Sequence, residues 1–249
     1  MFFPIWIAGP IQRFDEFLQG RKDQVEREDW VNGLFRVSVG IVKAFLISDL
    51  VLPQLFAAGQ SPSQIVSQLD DLTALETWRY LAITYFILYF DFSGYTDIAI
   101  GSSRILGFKI AENFNFPFLA TNMSDYWKRW HMSLARWCQT YVYMPILART
   151  RSATLPLFGT FFIMGIWHAA APHWIMWGVW HACGVFIYRT WEGKVRQLQA
   201  DHGYNLRPPP YVGNVVTLAF VMCAGAFTSL HHHGSIVDSF RLLANAFGF

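Results

Sequence analysis

Three of the eight histidines, His131, His168 and His181, each directly follow a tryptophan, in apolar or amphipathic sequence. An imidazole beside a bulky aromatic ring, where water is scarce, destabilises a fold unless it is paired or used. One use is general base catalysis, because neutral imidazole accepts a hydroxyl proton near neutral pH. The competing reading is packing, with each ring bonded to a backbone carbonyl or a tyrosine. His168 is the first candidate for a base. His181, a helix hairpin away, could face the same cavity, and His131 could orient substrate or line an entrance. Asp91 and Tyr95 are four apart and share a helix face. Asp91 and Asp97 have possible partners in Arg104 and Lys43, which favours structural pairing. No H-x-x-x-H or H-E-x-x-H spacing supports a metal site, and His231 to His233 read as an incidental tract in an exposed loop. G-x-S-x-G, P-loop, G-x-G-x-x-G and kinase signatures are absent.

The elements that must position these residues belong to a membrane protein. The 249 residues are 53% hydrophobic and 14% charged, against about 25% charged in soluble domains. Aromatics reach 18%, with eleven tryptophans, as in chains that line two membrane interfaces. No basic tract resembles a nucleic-acid site. Cys138, Cys183 and Cys223 are scattered and read as buried thiols. The start, MFFPIWIAGP, lacks the basic residues and cleavage site of a signal peptide. Without repeats or composition breaks, residues 1–249 read as one membrane domain.

Residues 12–30 form a charged surface segment with a short amphipathic helix. A first span covers 34–57, and its Arg36, Lys43 and Asp49 must face other helices rather than lipid. A second covers 79–106, with small residues that permit close packing. Residues 107–123 read as a loop at or dipping into the interface. A helix over 126–143, capped by Ser124 or Asp125, carries Trp127, Trp130, Leu134, Trp137 and Tyr141 as one apolar stripe, with Lys128, Arg129 and Arg136 opposite. Spans at 153–170 and 173–190 form a hairpin hinged at Ala171-Pro172. Residues 191–210 read as a polar, basic connection, 211–230 as a last span, and the end as a short amphipathic piece. Five crossings satisfy the bias of basic residues to the cytoplasmic side, placing 107–151 inside and the C-terminus outside.

Three blocks, FFPIWIAGPIQRF, DFSGYTDIAIGSSRILGFKIAENFNFPFLATNMSDYWKRWHMSLARW and GIWHAAAPHWIMWGVWHACG, resemble in order the signatures of the membrane-bound O-acyltransferase family, in its branch of bacterial alginate O-acetylation and teichoic-acid D-alanyl transfer proteins. The resemblance covers nearly the whole chain. It implies an all-α, polytopic bundle with re-entrant and interfacial helices in the bacterial inner membrane. It also implies transfer of an acyl group, acetyl above all, from a cytoplasmic thioester through a tunnel to hydroxyls of an exported polysaccharide. By position His168 matches the essential histidine of G-x-W-H, His131 the histidine of R-W-H-x-S-L near the donor, and His181 the later histidine of the hairpin. Trp167, Trp130, Arg129, Asn115, Asp91, Tyr95 and Asp97 fall in the matched blocks as tunnel or supporting residues.

The resemblance implies no permanently bound cofactor; acetyl-CoA or a carrier-protein thioester enters as substrate. Implied partners are membrane lipid, the polysaccharide, a periplasmic acetyltransferase and a separate polypeptide with further N-terminal helices. The family carries several helices ahead of the FFP block, so this chain looks like the C-terminal portion of its fold. Ala169 stands where the family commonly has glycine, the stretch between His131 and His168 is short, and the C-terminal signature is blurred into TSLHHHGSIVDSFR. A non-catalytic scaffold or inactive fragment is the alternative from a different class, and a transporter of acyl groups or small anions a third.

Overall fold

A computed structural model describes residues 2–6, 9–58, 60–204 and 206–249, so Ile7 and Ala8 of the FFPIWIAGPIQRF block and Gly59 of the GQSPS turn lie outside the described residues. Among the described residues every regular element is helical, and the extended pairing is a single bridge between Arg21 and Phe108. The α-helices are α1 (Phe14–Gln19), α2 (Arg27–Ile41), α3 (Ala74–Ile105), α4 (Met123–Tyr126), α5 (Met132–Cys138), α6 (Met144–Thr150), α7 (Thr154–His168), α8 (Pro172–His202), α9 (Pro210–Ser229) and α10 (Ile236–Ala246). α2 continues as a π-helix over Val42–Val51. Among the described residues one helix, α9, is long and apolar enough by itself to cross a membrane, and α7 is a shorter apolar helix.

α3 starts where Thr73 and Glu76 cap one another: the Glu76 N–H donates to Thr73 Oγ1 at 3.3 Å and the Thr73 N–H to Glu76 Oε2 at 3.0 Å, a capping box. α2 packs along α3 through small residues on both. A Cβ on Gly40 would sit 2.5 Å from the Gly94 carbonyl oxygen, and one on Gly94 would sit 2.7 Å from that of Gly40. Bare backbones therefore make this contact. Close approach lets Arg36 and Lys43, two turns apart on α2 and its extension, both reach Asp97 on α3, at 3.0 and 2.6 Å. Arg36 and Lys43 of the first apolar segment thus face a helix, as expected, and Lys43 is a partner of Asp97, whereas Asp49, expected to face a helix too, is exposed at the far end of the π-helical stretch. Arg104 instead donates to buried Asp29 at 3.1 Å, where the Lys22 ammonium also binds at 2.6 Å.

Two expectations need correction. The helix foreseen over 126–143 breaks into α4, a turn, α5 and a π segment over Gln139–Tyr143. A continuous helix would bond the Met132 and Ser133 amides to the carbonyls of residues 128 and 129. Here Met132 N–H donates to the Asn113 carbonyl at 2.9 Å, Ser133 N–H to Asn113 Oδ1 at 3.1 Å, and the Arg129 carbonyl accepts from Asn115 N–H at 2.9 Å. The loop 107–123 outcompetes the helix. The apolar stripe divides accordingly: Trp130 and Leu134 are buried, whereas Trp137 and Tyr141 are exposed. The cap is Asn122, whose side chain accepts from Asp125 N–H at 2.8 Å. The second correction concerns 191–210, which is helical as far as His202. Its polar residues are helix formers, Arg196 pairs with Glu192 at 2.8 Å, and Gly203 at φ 74° ends the helix.

α7 and α8 form the expected hairpin, joined by Ala169 to Ala171. A Cβ on Gly178 would meet the Phe161 carbonyl oxygen at 2.4 Å, and one on Gly165 that of Trp174 at 2.4 Å. α3, α9 and α10 close over a core in which Tyr80, Phe227 and Leu242 are fully buried. Cys138 and Cys223 are buried free thiols, and Cys183 is half-buried.

Two outcomes follow. Gly178→Val forces the α7–α8 backbones apart, and we expect a loss of about 1–3 kcal/mol or more, read as a lowered unfolding midpoint. The Lys22 ammonium holds the Asp29 carboxyl down at about 2, below its ordinary 3.8, despite the opposing effect of burial. This contribution to stability is complete above 3.8 and disappears as pH falls towards about 2. The wild type should lose stability over that interval relative to Asp29→Asn in acid titrations followed by circular dichroism; parallel curves would contradict the assignment.

Candidate active site

The three tryptophan-linked histidines meet at one cavity. His131, His168 and His181 all line a space of about 510 Å³ between α3, the α4–α5 segment, α7, α8 and α9, within the usual range of about 300–1,000 Å³ for small-molecule sites. α7 supplies Met164 and His168, and α8 supplies Trp174, Trp177 and His181. These sit at helical intervals of three and four, so each helix offers one face.

His168 is the last residue of α7. Its ring stacks on Trp174 at 4.5 Å and 16°, and meets Trp177 edge-on at 5.4 Å and Trp167 at 4.9 Å. The three indoles restrict the ring plane, while the residue itself stays exposed at the end of the helix. His181 is 2% exposed, with Trp177 at 4.8 Å and Trp127 at 5.2 Å, and its Nδ1 has no hydrogen-bond partner.

His131 has left-handed backbone, at φ 42° and ψ 52°, a conformation costing about 1–2 kcal/mol outside glycine. Asn113, fully buried, holds it there. Asn113 Oδ1 lies 3.1 Å from His131 Nδ1 and accepts from both the N–H (3.1 Å) and the Oγ–H (2.8 Å) of Ser133. A backbone N–H only donates, so the Asn113 atom is its oxygen, and His131 Nδ1 must carry the proton. Nε2 is then the ring's acceptor. Ser133 Oγ accepts in turn from Ile11 N–H at 3.0 Å, tying the N-terminal block to the same site.

Of the other residues singled out from sequence, Trp130 and Asp91 line the cavity. Trp167 touches only the outer face of His168 and is 58% exposed. Asp97 is committed to Arg36 and Lys43, and Tyr95 is half-buried outside the lining. Arg129 pairs with Asp125 at 2.9 Å, and Asn115 bonds Arg129 through its backbone. These five, Trp167, Asp97, Tyr95, Arg129 and Asn115, lie outside the cavity wall. Sequence reasoning passed over Asn113, Tyr85 and Trp174, and it noted Asp49 only as a charge facing other helices. Asn113 sits two residues from Asn115 in one irregular stretch, and no local pattern separates the buried asparagine from the exposed one. Trp174 was legible, because it lies at i+3 to Trp177 and i+7 to His181. His231, expected in an exposed loop, is half-buried with its ring 5.7 Å from His173 and 6.1 Å from Trp174. Among the described residues no group of three or more metal-ligating side chains converges.

Asn113→Leu keeps the volume but leaves the Ser133 N–H and His131 Nδ1–H without an acceptor. Each unpaired buried group costs about 1–3 kcal/mol. We expect a marked fall in the unfolding midpoint and a change in the His131 imidazole ¹⁵N signals; unaltered signals would contradict the assigned tautomer.

The family model for the membrane-bound O-acyltransferase family matches residues 1–230. The chain is 29% identical over 253 residues to a teichoic acid D-alanyltransferase of Bacillus subtilis, covering 94% of this chain and 61% of that protein. It is 33% identical over 207 residues to a probable alginate O-acetylase of Azotobacter vinelandii, covering 80% and 38%. To a peptidoglycan O-acetyltransferase of Helicobacter pylori it is 30% identical over 236 residues, covering 91% and 42%. The chain thus spans between 38% and 61% of the length of these relatives.

Proposed function

Because this chain belongs to the membrane-bound O-acyltransferase family, we propose that it forms the reaction chamber of an O-acyltransferase. It moves an acyl group, acetyl in the first instance, from a thioester donor (acetyl-CoA or a carrier-protein thioester) to a hydroxyl of an exported polysaccharide. The observation that carries this reading is the convergence of His131, His168 and His181 on one cavity. Helices lie in the bacterial inner membrane in several crossings, with the basic 107–151 region cytoplasmic and the 58–77 and 170–173 connections outside. His168, beside the second of those connections, then stands towards the acceptor. His131, in the cytoplasmic segment, stands towards the donor and orients it. A periplasmic acetyltransferase and further helices from a separate polypeptide are the proposed partners.

In the proposed chemistry His168 takes the hydroxyl proton as the oxygen attacks the thioester carbonyl. The tetrahedral intermediate collapses, the carbon–sulfur bond breaks, and the imidazolium returns its proton to the departing thiolate. One ester forms and one thiol is released. Trp174 and Trp177 hold the ring in the plane that both transfers require, and apolar walls keep water from the thioester.

In membranes supplied with a labelled thioester and polysaccharide, His168→Ala should lower transfer by the ~10²–10⁴-fold that a general base contributes, with insertion and unfolding midpoint retained. Equal transfer by variant and wild type would remove His168 from the mechanism. Absence of transfer by an inserted, folded wild type, alone and with the N-terminal helices of a relative, would leave a scaffold.

A further inference from the structure

A second space lies between α8, α9 and the start of α4. It is a groove of about 300 Å³ that shares no lining residue with the histidine cavity. α8 contributes Gly184, Ile187 and Trp191, and α9 contributes Val212, Val216 and Phe220. At one end the helices touch: a Cβ on Gly184 would sit 2.4 Å from Phe220 Cε1. The groove runs from that contact towards Trp191, seven residues along α8 and so about 10 Å away.

The polar groups of its wall are spent within the fold. The Thr217 hydroxyl donates to the Gly213 carbonyl at 2.7 Å. Asn122 Oδ1 accepts from Asp125 N–H at 2.8 Å, and Asn122 Nδ2 donates to Thr121 Oγ1 at 3.4 Å. No charged side chain lines the groove among the described residues. A sugar would give up hydrogen bonds to water here without replacement, whereas a hydrocarbon chain gives up none. A further helix is too wide. At a diameter of about 10–12 Å it would need roughly 800 Å³ or more over the same length.

The charge gathers at the open end. Lys194 continues the face of Ile187 and Trp191, and no ion pair or hydrogen bond holds its ammonium among the described residues. Arg196 and Arg207 share one carboxylate oxygen, Glu192 Oε1, at 2.8 and 2.9 Å. Three cations thus stand against one anion. Arg207 directly precedes Pro208 of the lining, and Tyr188 at the rim is within electrostatic reach of both guanidiniums. Asp125, the other acid near Tyr188, is taken by Arg129 at 2.9 Å. A tyrosine and a tryptophan with cations beyond them mark a helix end at a membrane surface. Basic pockets between membrane helices on the cytoplasmic side take anionic lipid headgroups.

We propose that this groove binds an anionic phospholipid of the cytoplasmic leaflet. One acyl chain lies between α8 and α9, and the phosphate meets Lys194, Arg196 and Arg207. The inference rests on the membrane placement of the helices and is independent of acyl transfer.

The test reconstitutes the full chain into phosphatidylcholine vesicles. A trace of phosphatidylglycerol, or of phosphatidylcholine, carries a diazirine within one acyl chain. Peptides labelled on irradiation are identified by mass spectrometry. We expect labelling by the phosphatidylglycerol probe to concentrate on residues 184–191 and 212–220. It should exceed labelling by the phosphatidylcholine probe by at least about fivefold, the effect of one cation near a membrane surface. Lys194→Gln with Arg196→Gln should bring that ratio towards one. Val216→Trp, which fills the groove, should remove the labelling there and leave it elsewhere. If Val216→Trp does not fold, the charge variant decides, because both of its side chains are exposed. A wild-type ratio of one, or labelling spread evenly over the exposed faces of α2 and α9, overturns the proposal. So does loss of groove labelling when the N-terminal helices of a relative are added, or its replacement by crosslinks between two copies of the chain. Flotation of the vesicles is followed in parallel. If the chain does not float with them, the membrane placement fails by itself, and the same probes are compared in detergent micelles. Preferential groove labelling by the anionic probe there keeps the lipid site, and equal labelling by the two probes overturns it.

Discussion

One carboxamide oxygen sets the conformation of the centre. Asn113 Oδ1 takes hydrogens from the backbone and side chain of Ser133 and from His131 Nδ1. The Ser133 amide contact, together with the Met132 N–H on the Asn113 carbonyl, takes amides that a helix through residues 128–133 would use, and the His131 contact fixes the tautomer of the imidazole. The oxygen side of this buried carboxamide is fully used, while Asn113 Nδ2 has no partner among the described residues. The left-handed turn at His131 persists because its neighbours over-determine it. The same loop carries Phe114, whose ring packs edge-on against Trp130 at 5.1 Å and against Tyr89 at 5.9 Å. Thus one irregular segment supplies both the acceptor for His131 and part of the aromatic wall behind it.

The helices provide rigid support on either side. Backbone contact at Gly40 and Gly94 brings two basic residues of α2 onto Asp97, which holds α3 in register against its neighbour. Backbone contact at Gly165 and Gly178 does the same for the hairpin, aligning the Met164–His168 face of α7 with the Trp174–Trp177–His181 face of α8. Interhelical charges are neutralised locally and the cavity is left with imidazoles, indoles and two carboxylates.

The long apolar segments and the hairpin were legible in the sequence because their signals are local: hydrophobic length, Pro172 at a helix start and Gly/Ala positions where backbones touch. So was the charged face of the first apolar segment, since Arg36 and Lys43 are seven apart on one helical face and charges at that depth must turn to other helices. His131, His168 and His181 shared a visible signature, a tryptophan directly before each, and the fold brings them to one cavity. What the sequence hid was decided at long range. The stripe from Trp127 to Tyr141 has helical spacing, yet Asn113, far back in the chain, takes the amides that the helix needed. Residues 191–202 are polar enough to read as a connection and are helical because no breaker intervenes before Gly203. Arg129 and Asn115 stand beside the important residues in sequence, but their side chains turn to local partners.

The central claim is that the three histidines belong to one site. Imidazole ¹⁵N spectra of the folded protein, recorded with and without a non-transferable acyl-pantetheine thioether, test it most directly. The account predicts that the ligand shifts the signals of His131, His168 and His181 together, while His202 and His233 stay in place. A shift confined to one of the three, or equal shifts throughout, would contradict a shared cavity.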